Sequence, residues 1–326
     1  MDEIAIIKQK LGEIVDPGCN KSLSETDSIK HVGIDDSNSV ILILEIADKD
    51  NSEFTKKITR EVAKIVKLDL GYSGVKIEFT KRKSKQFQKA KTLLIASGKG
   101  GVGKSTVTAN LAYALTRLGK KVGIIDADIY GANMPKILNA TKHVLMGDKD
   151  GKIYPFEKDG IQMVSTEYLV EEKRALMLRG PMLGKILKLF FEDTLWNDDI
   201  DYFLVDLPPG TGDVMMDLKN FSEDAKMVIV TTPQESAAHI AIKAGYAAKD
   251  LSQDVIGVIE NMAYYEVNNE FHYIFGKDGG KKVADELVVE LLASLPITKY
   301  DQVICKETDM SGIIYLNLAK NIIKAL

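Results

Sequence analysis

Cysteine, tryptophan and proline are scarce in this 326-residue sequence, with counts of 2, 1 and 8. Two cysteines, Cys19 and Cys305, exclude a scaffold held together by many disulfides and fit a reducing compartment. The formal net charge of −4 gives no general attraction to nucleic acid or to anionic membranes. No apolar run approaches the ~18 residues of a membrane-spanning helix, and the first residues do not resemble a leader peptide. We therefore expect a soluble cytoplasmic protein that has neither a membrane nor a nucleic acid as its main partner.

What is present is an ordinary globular composition, with 45% hydrophobic and 28% charged residues. Residues 1–80 follow the pattern helix, strand, strand, helix, strand. Ile4, Ile7 and Leu11 are spaced as on one face of a helix, and Val40 to Ile46 forms an apolar strand pattern. We predict a small α+β domain over residues 1–80. A basic stretch at residues 81–91 is predicted to be a solvated linker, with a docking arm for nucleic acid or a partner as the alternative.

From residue 92 the pattern changes to apolar strands that alternate with amphipathic helices. This alternation predicts a doubly wound, mostly parallel sheet covered on both faces, in an α/β domain over residues 92–326. The predicted strands are Leu93 to Ala96, Val122 to Asp126, Phe203 to Asp206, Val228 to Thr231, Val255 to Glu260 and Leu291 to Leu295.

A glycine-rich segment follows the first of these strands. Gly98 to Ser105 (GKGGVGKS) fits the phosphate-binding pattern G-x-x-x-x-G-K-[ST] and lies between a predicted strand and a predicted helix. Glycines let backbone N–H groups approach phosphate oxygens, and the start of the helix adds a favourable dipole. Lys104 would contact the β and γ phosphates of ATP, and the Ser105 hydroxyl would ligate Mg²⁺. This motif predicts a P-loop ATPase.

The segment Gly98 to Thr106 also resembles the deviant Walker A motif of the partition-type and MinD-type ATPases, because Lys99 follows the first glycine. In those families the early lysine reaches the nucleotide of the partner subunit. The resemblance therefore implies that Lys99 acts across the interface of an ATP-bound homodimer, with Lys99 and Lys104 both catalytic.

Other predicted site residues follow the strands of the second domain. Asp206 has the form of a Walker B aspartate, and the loop after it contains Gly210, whose N–H can meet a γ-phosphate. The superfamily resemblance implies that Asp128 orients the attacking water, that Asp126 helps to hold Mg²⁺ with Ser105 and Asp206, and that Asn261 contacts adenine. The predicted nucleotide-binding residues are Gly98, Lys99, Gly100, Gly101, Val102, Gly103, Lys104, Ser105, Thr106, Gly210 and Asn261.

The surrounding segments resemble the Mrp/ApbC family of iron-sulfur cluster carriers. These segments are Asp126 to Gly131 (DADIYG), Arg179 to Met182 (RGPM), Asp206 to Asp213 (DLPPGTGD), Thr231 to Gln234 (TTPQ), Glu260 to Met262 (ENM) and Ile274 to Gly280 (IFGKDGG). The likeness runs from about residue 92 to the end of the chain, and the first domain resembles one associated with iron-sulfur assembly. It implies an ATP-hydrolysing homodimer that binds a labile cluster and passes it to apoprotein clients.

One departure from this family concerns the cluster ligands. Typical members carry Cys-x-x-Cys where this chain reads Met262 to Ile274 (MAYYEVNNEFHYI), which contains no cysteine. Iron-sulfur clusters need thiolate ligands. Cys19 and Cys305 from two protomers would supply four thiols, and His272 is a further conceivable ligand, but neither arrangement resembles the usual site. The cluster ligands are therefore not identified by the sequence.

Two other functions stay open at this point. One is an ATP-gated dimeric scaffold that carries no cluster. The other is a positioning ATPase of the MinD or partition type, for which a basic amphipathic helix at the end of the chain would be expected. The segment Ile313 to Leu326 is amphipathic but contains only two lysines, and we predict that it packs in the core.

Overall fold

The computed structural model describes residues 3–47, 49, 51–81, 89–128, 131–140, 145–149, 151–169, 180–210, 212–219, 221–222, 224–268, 270–297 and 304–326. Its chain divides into two compact units, residues 1–83 and 84–326. Most of the predicted linker lies outside the described residues, as do Ile129, Tyr130, Arg179 and Thr211 of the motif segments. No helix of the described part is long and apolar enough to cross a membrane.

The first unit is a small α+β unit, as its sequence pattern predicts. Its helices are α1 (Glu3–Leu11) and α2 (Ser52–Lys64), the latter followed by a π-helical turn (Ile65–Asp69), and its strands are β1 (Val15–Asp16), β2 (Lys21–Ser22), β3 (Ile29–Ile34), β4 (Ser39–Ile46) and β5 (Gly74–Lys81). Strand β4 pairs antiparallel with β3 and parallel with β5. Alternate β4 residues are buried with Ile7, Leu11, Ile58 and Val62 from the helices. The β4 side chains between them are half-buried, so one face of the strand is fully covered.

The second unit is built around an eight-stranded sheet. The strands in chain order are β6 (Lys91–Ser97), β7 (Val122–Asp126), β8 (Phe156–Lys158), β9 (Ile161–Ser165), β10 (Tyr202–Asp206), β11 (Lys226–Thr231), β12 (Asp254–Glu260) and β15 (Glu290–Ser294). A separate hairpin joins β13 (Tyr265–Val267) to β14 (Glu270–His272). The spatial order of the sheet is β15-β12-β11-β6-β10-β7-β9-β8, and only β8 runs antiparallel to its neighbour. The predicted doubly wound, mostly parallel sheet is confirmed.

Helices cover both faces of this sheet. They are α3 (Lys104–Arg117), α4 (Met134–Ile137), α5 (Gly180–Phe191), α6 (Gly212–Lys219), α7 (Glu235–Asp250), α8 (Gly279–Leu287) and α9 (Met310–Ala325), with a 3₁₀ turn at Thr166–Leu169. One core contains Leu187 and Phe190 of α5, and the other contains Leu111 of α3 and Leu318 of α9. Helix α9 buries Tyr315, Leu318 and Ile322, so the prediction of a core-packing helix at the end of the chain is confirmed.

Candidate nucleotide-binding site

The site lies at the carboxyl ends of the central strands, where doubly wound folds bind their ligands. Strand β10 lies between β6 and β7, and its last residue, Asp206, pairs in register with Asp126, the last residue of β7. Side chains in register on neighbouring strands lie on the same face of a sheet. Both carboxylates are fully buried. The fold therefore brings together two acidic residues that are far apart in the sequence.

The glycine-rich loop connects β6 to α3 and lines a cavity of about 610 Å³. Gly101 and Gly103 have φ angles of 83° and 82°, a region that residues with a Cβ rarely enter. Gly103 is also the N-cap of α3, so backbone N–H groups and the helix dipole face the cavity. The described lining consists of Ser97, Lys99, Gly100, Gly101, Val102, Gly103, Lys104, Ser105, Thr106, Asp128, Gly131, Asn133, Pro208 and Pro209.

Lys104 joins this cavity to the buried carboxylates. Its Nζ lies 2.8 Å from Asp206 Oδ1 and 3.7 Å from Asp128 Oδ2, and the side chain is only 6% exposed. Among the described residues this Nζ has an ion pair but no hydrogen-bond partner of good geometry. A buried ammonium group with unused N–H bonds beside a cavity fits an anionic ligand such as a phosphate.

Asp206 accepts two further hydrogen bonds. The Ser105 hydroxyl donates to Oδ2 at 2.6 Å, and the Thr108 hydroxyl donates to Oδ1 at 3.0 Å. Sequence reasoning predicted Ser105 and Asp206 but missed Thr108. The sequence feature that identifies Thr108 is its spacing of four residues from Lys104, which places both side chains on the same face of α3.

Asp126 accepts hydrogen bonds at both of its carboxylate oxygens, with the backbone N–H of Asp128 donating to Oδ1 at 3.3 Å. Its Oδ2 accepts from the Ser165 hydroxyl at 2.8 Å and from the backbone N–H of Met134 at 3.3 Å. Burial and the neighbouring Asp206 raise the pKa of Asp126 to about 7. Two close carboxylates and a hydroxyl form the oxygen-rich environment that Mg²⁺ prefers, and added positive charge would lower this pKa. The side chains present therefore fit a magnesium ion.

Asp128 lies at the wall of the cavity. Its Oδ1 accepts from the backbone N–H of Gly131 at 3.1 Å. Burial raises the pKa of Asp128, while the nearby Lys104 acts in the opposite direction. The carboxylate thus lies beside the positions that phosphate groups would occupy, although Asp126 and Asp206 lie deeper.

Lys99 contacts Gln234, a residue for which no role is predicted from the sequence. Its Nζ lies 3.5 Å from Oε1 of Gln234, at the N-terminus of α7, and the Gln234 side chain does not cap its own helix. The preceding Gly98 packs directly on α7, since a Cβ at Gly98 would lie 2.5 Å from the backbone carbon of Ile240. Gly98 is thus needed for close packing, and Lys99 is held within its own subunit.

Asn261 and Gly210 lie beside the described lining. Asn261 is buried, and its Nδ2 donates to the backbone carbonyl of Val102 at 2.9 Å. Gly210 has a φ of 84° and donates its N–H to the carbonyl of Ser97 at 3.1 Å. The structure therefore links both residues to the phosphate loop or its strand. The adenine contact of Asn261 stays a prediction.

The segment without cysteines forms the hairpin β13–β14. Tyr264 and Phe271 stack edge to face with ring centroids 5.0 Å apart, and Lys277 lies over the ring of Tyr273. Cys305 is 4% exposed and burial raises the pKa of its thiol, which disfavours the thiolate form. Within the described residues no group of three or more His, Cys, Asp or Glu side chains could hold a metal ion.

The phosphate loop, its lysine and the carboxylates at neighbouring strand ends define a P-loop NTPase. The similarity to known proteins identifies the family within the P-loop NTPases. The family model of the NUBPL iron-transfer P-loop NTPases, within ParA, matches residues 88–324. The chain belongs to this family, as its sequence motifs predict. It is also 38% identical to the iron-sulfur cluster carrier protein of Bacillus subtilis over 97% of this chain and 96% of that protein.

Solved structures support the same fold. A nucleotide-binding protein from Archaeoglobus fulgidus, determined in complex with ADP, has a TM-score of 0.56 and 31% identity, and covers 72% of this chain and 93% of its own. The cell division ATPase MinD of Pyrococcus furiosus has a TM-score of 0.54 and 23% identity, covering 73% and 100% of the two chains. The second likeness concerns the fold alone.

Proposed function

We propose that this chain binds Mg-ATP in the cavity of the phosphate loop, hydrolyses it slowly as a homodimer and handles iron-sulfur clusters for apoprotein clients. The observation that supports nucleotide binding is the position of Lys104, a buried ammonium group at the cavity with unused N–H bonds. Membership of the NUBPL iron-transfer family and the similarity to the iron-sulfur cluster carrier protein of Bacillus subtilis support the role in iron-sulfur cluster handling.

The roles of the site residues follow from their positions. The N–H groups of the loop and the Lys104 ammonium group bind the phosphates, and Lys104 stabilises the negative charge that develops on the transferred phosphoryl group. Ser105, Asp206 and Asp126 would hold the magnesium ion. When bound, this ion supplies positive charge to the phosphate oxygens. Asp128 faces the cavity and would orient the attacking water through its carboxylate.

The proposed dimer gives Lys99 its role. In the single subunit its ammonium group contacts Gln234. In a face-to-face dimer it would leave this contact and neutralise charge on the partner's nucleotide, as an arginine finger does. Hydrolysis then requires Lys99 from one protomer and Lys104 and Asp128 from the other.

The nucleotide part is tested by ATP binding and turnover in the presence of Mg²⁺. Lys104→Ala is expected to abolish turnover, while Asp128→Ala should keep binding and slow turnover by roughly 100-fold or more. Lys243→Ala is the matched control, because Lys243 lies on the exposed side of α7 and should turn over at the wild-type rate. Unchanged turnover in Lys104→Ala would contradict the proposal.

For the role in iron-sulfur cluster handling there is a second candidate function, because the hairpin β13–β14 lies where relatives carry Cys-x-x-Cys. This segment offers carbonyl, amide, carboxylate and one imidazole groups, which are poor substitutes for thiolates. Any cluster that this chain carries is therefore expected to be weaker or differently ligated than in cysteine-bearing relatives. The alternative is an ATP-gated dimeric scaffold that holds no cluster itself.

Anaerobic reconstitution with iron and sulfide separates the two candidates. Absorption spectra and iron counts would be compared between the wild-type chain and a Cys19→Ala/Cys305→Ala variant. Bound iron that disappears in the variant supports the carrier with unusual thiol ligands. A stoichiometric cluster that survives in the variant would overturn the ligand argument, and no cluster in either protein would favour the scaffold.

A further inference from the structure

The side-chain amide of Asn261 contacts two consecutive residues of the phosphate loop, Val102 and Gly103. Its Nδ2 donates a buried hydrogen bond to the carbonyl of Val102 at 2.9 Å. The same amide fills the space beside Gly103, where an added Cβ would overlap Nδ2. Its own backbone N–H is held by the carbonyl of Thr231 at 2.8 Å, so the residue is fixed to the end of β11.

The hydrogen bond determines how the Val102–Gly103 peptide is oriented. In a trans peptide the carbonyl and the following N–H point in opposite directions. Val102 and Gly103 line the cavity, whereas Asn261 is outside the described lining. Because Asn261 holds the Val102 carbonyl, the Gly103 N–H of the same peptide points away from Asn261, and Gly103 itself lines the cavity.

We propose that Asn261 is a positioning residue that preorganises the phosphate-binding N–H groups of the loop, in addition to its predicted contact with adenine. The inference rests on the proposed nucleotide function and goes beyond it. Without the amide, the Val102 carbonyl loses a buried donor and the peptide is free to rotate, so part of the binding free energy is spent on ordering the loop.

The test is calorimetric titration with Mg²⁺ and three probes, namely ATP, GTP and inorganic tripolyphosphate. Asn261→Ala is expected to weaken tripolyphosphate binding roughly tenfold and to weaken ATP and GTP by at least the same factor. Any additional loss for ATP measures the predicted adenine contact. Asn110→Ala is the matched control. Asn110 is also a buried asparagine, whose Nδ2 donates to the carbonyl of Thr106 within α3 and whose Oδ1 accepts from the backbone N–H of Cys305. Neither bond involves the Val102–Gly103 peptide, so we expect its binding constants to match the wild type.

A second variant separates positioning from a loss of folding. Asn261→Asp keeps the shape of the side chain but removes the donor, so it should also lose affinity at pH 8. Lowering the pH protonates a buried carboxyl, which can then donate to the Val102 carbonyl. Relative to wild type at each pH, Asn261→Asp is expected to regain affinity toward pH 5, whereas Asn261→Ala is not.

Three results would overturn the inference. The first is a loss for ATP alone with unchanged tripolyphosphate binding, which would show that the amide reads the base. The second is wild-type affinity for all three probes in Asn261→Ala. The third is an Asn261→Asp variant that gains nothing at low pH. A wild-type chain that binds none of the probes would instead refute the proposed nucleotide function, and the inference with it.

Discussion

Asp126→Asn should change how the stability of the second unit depends on pH. The Asp126 carboxyl is fully buried, and burial together with Asp206 raises its pKa to about 7 from an ordinary value of 3.8. Asparagine has nearly the same shape and does not titrate. It keeps one oxygen acceptor but loses the second. In the wild type the Ser165 hydroxyl and the Met134 N–H donate to Oδ2, and the Asp128 N–H donates to Oδ1.

The direction of the pH dependence follows from the number of protons that the folded and unfolded states bind. Between pH 4 and pH 7 the folded protein holds a proton at Asp126 that the unfolded chain has lost, so the free energy of unfolding falls as the pH rises. The shift of this pKa from 3.8 to about 7 corresponds to a change of roughly 4 kcal/mol in the free energy of unfolding. The lost acceptor costs about 1–3 kcal/mol at every pH. The variant should therefore be less stable than wild type at pH 4 and about 1–3 kcal/mol more stable at pH 8.

Urea unfolding at several pH values, without nucleotide and with EDTA, measures this difference. Trp196 is the single tryptophan of the chain and is 3% exposed in the second unit, so its emission reports the unfolding of that unit. An identical pH dependence of the two unfolding free energies would refute the raised pKa and show that Asp126 is ionised in the folded protein.

Three further predictions concern local structure and the dimer. Val288 is 87% exposed and has a φ of 54°. Val288→Gly should therefore relieve backbone strain and raise the free energy of unfolding by about 0.5–1 kcal/mol. A lower thermal midpoint would contradict this. Gly280→Ala should destabilise by about 1–3 kcal/mol, because its Cβ would lie 2.5 Å from a side chain of β12, whereas Gly184→Ala has ordinary contacts and should not destabilise. Gln234→Glu should hold the Lys99 ammonium group by charge and so weaken ATP-dependent dimerisation, which sedimentation measures, and high salt should partly restore the dimer. An unchanged dimerisation constant would be evidence against this contact.

The central fold could be predicted from the sequence because its strands are apolar on both faces. Continuous apolar runs such as Val122–Asp126 and Tyr202–Asp206 occur in strands covered by helices on both sides. Strand Ile161–Ser165 was missed. Its Gln162 and Ser165 are polar but buried, so its pattern resembles neither a continuous apolar run nor a regular alternation.

The candidate site was predicted where one local motif contains the chemistry. The phosphate loop supplies its glycines, Lys104 and Ser105 within one segment. Contacts between distant segments were not predictable in the same way. Asn261 and Val102 are 159 residues apart, and Lys99 and Gln234 are 135 residues apart, so only the order of strands at the sheet edge brings them together.

The central claim, a composite ATPase site in a homodimer, is tested most directly by mixing two inactive variants, Lys99→Ala and Asp128→Ala. A heterodimer contains one complete site, formed by the Asp128 of the first variant and the Lys99 of the second. Because half of randomly mixed dimers are heterodimers with one complete site of two, the mixture should recover about a quarter of the wild-type turnover. Turnover no greater than the sum of the separate variants, with one monomer species in sedimentation with ATP, would contradict the account.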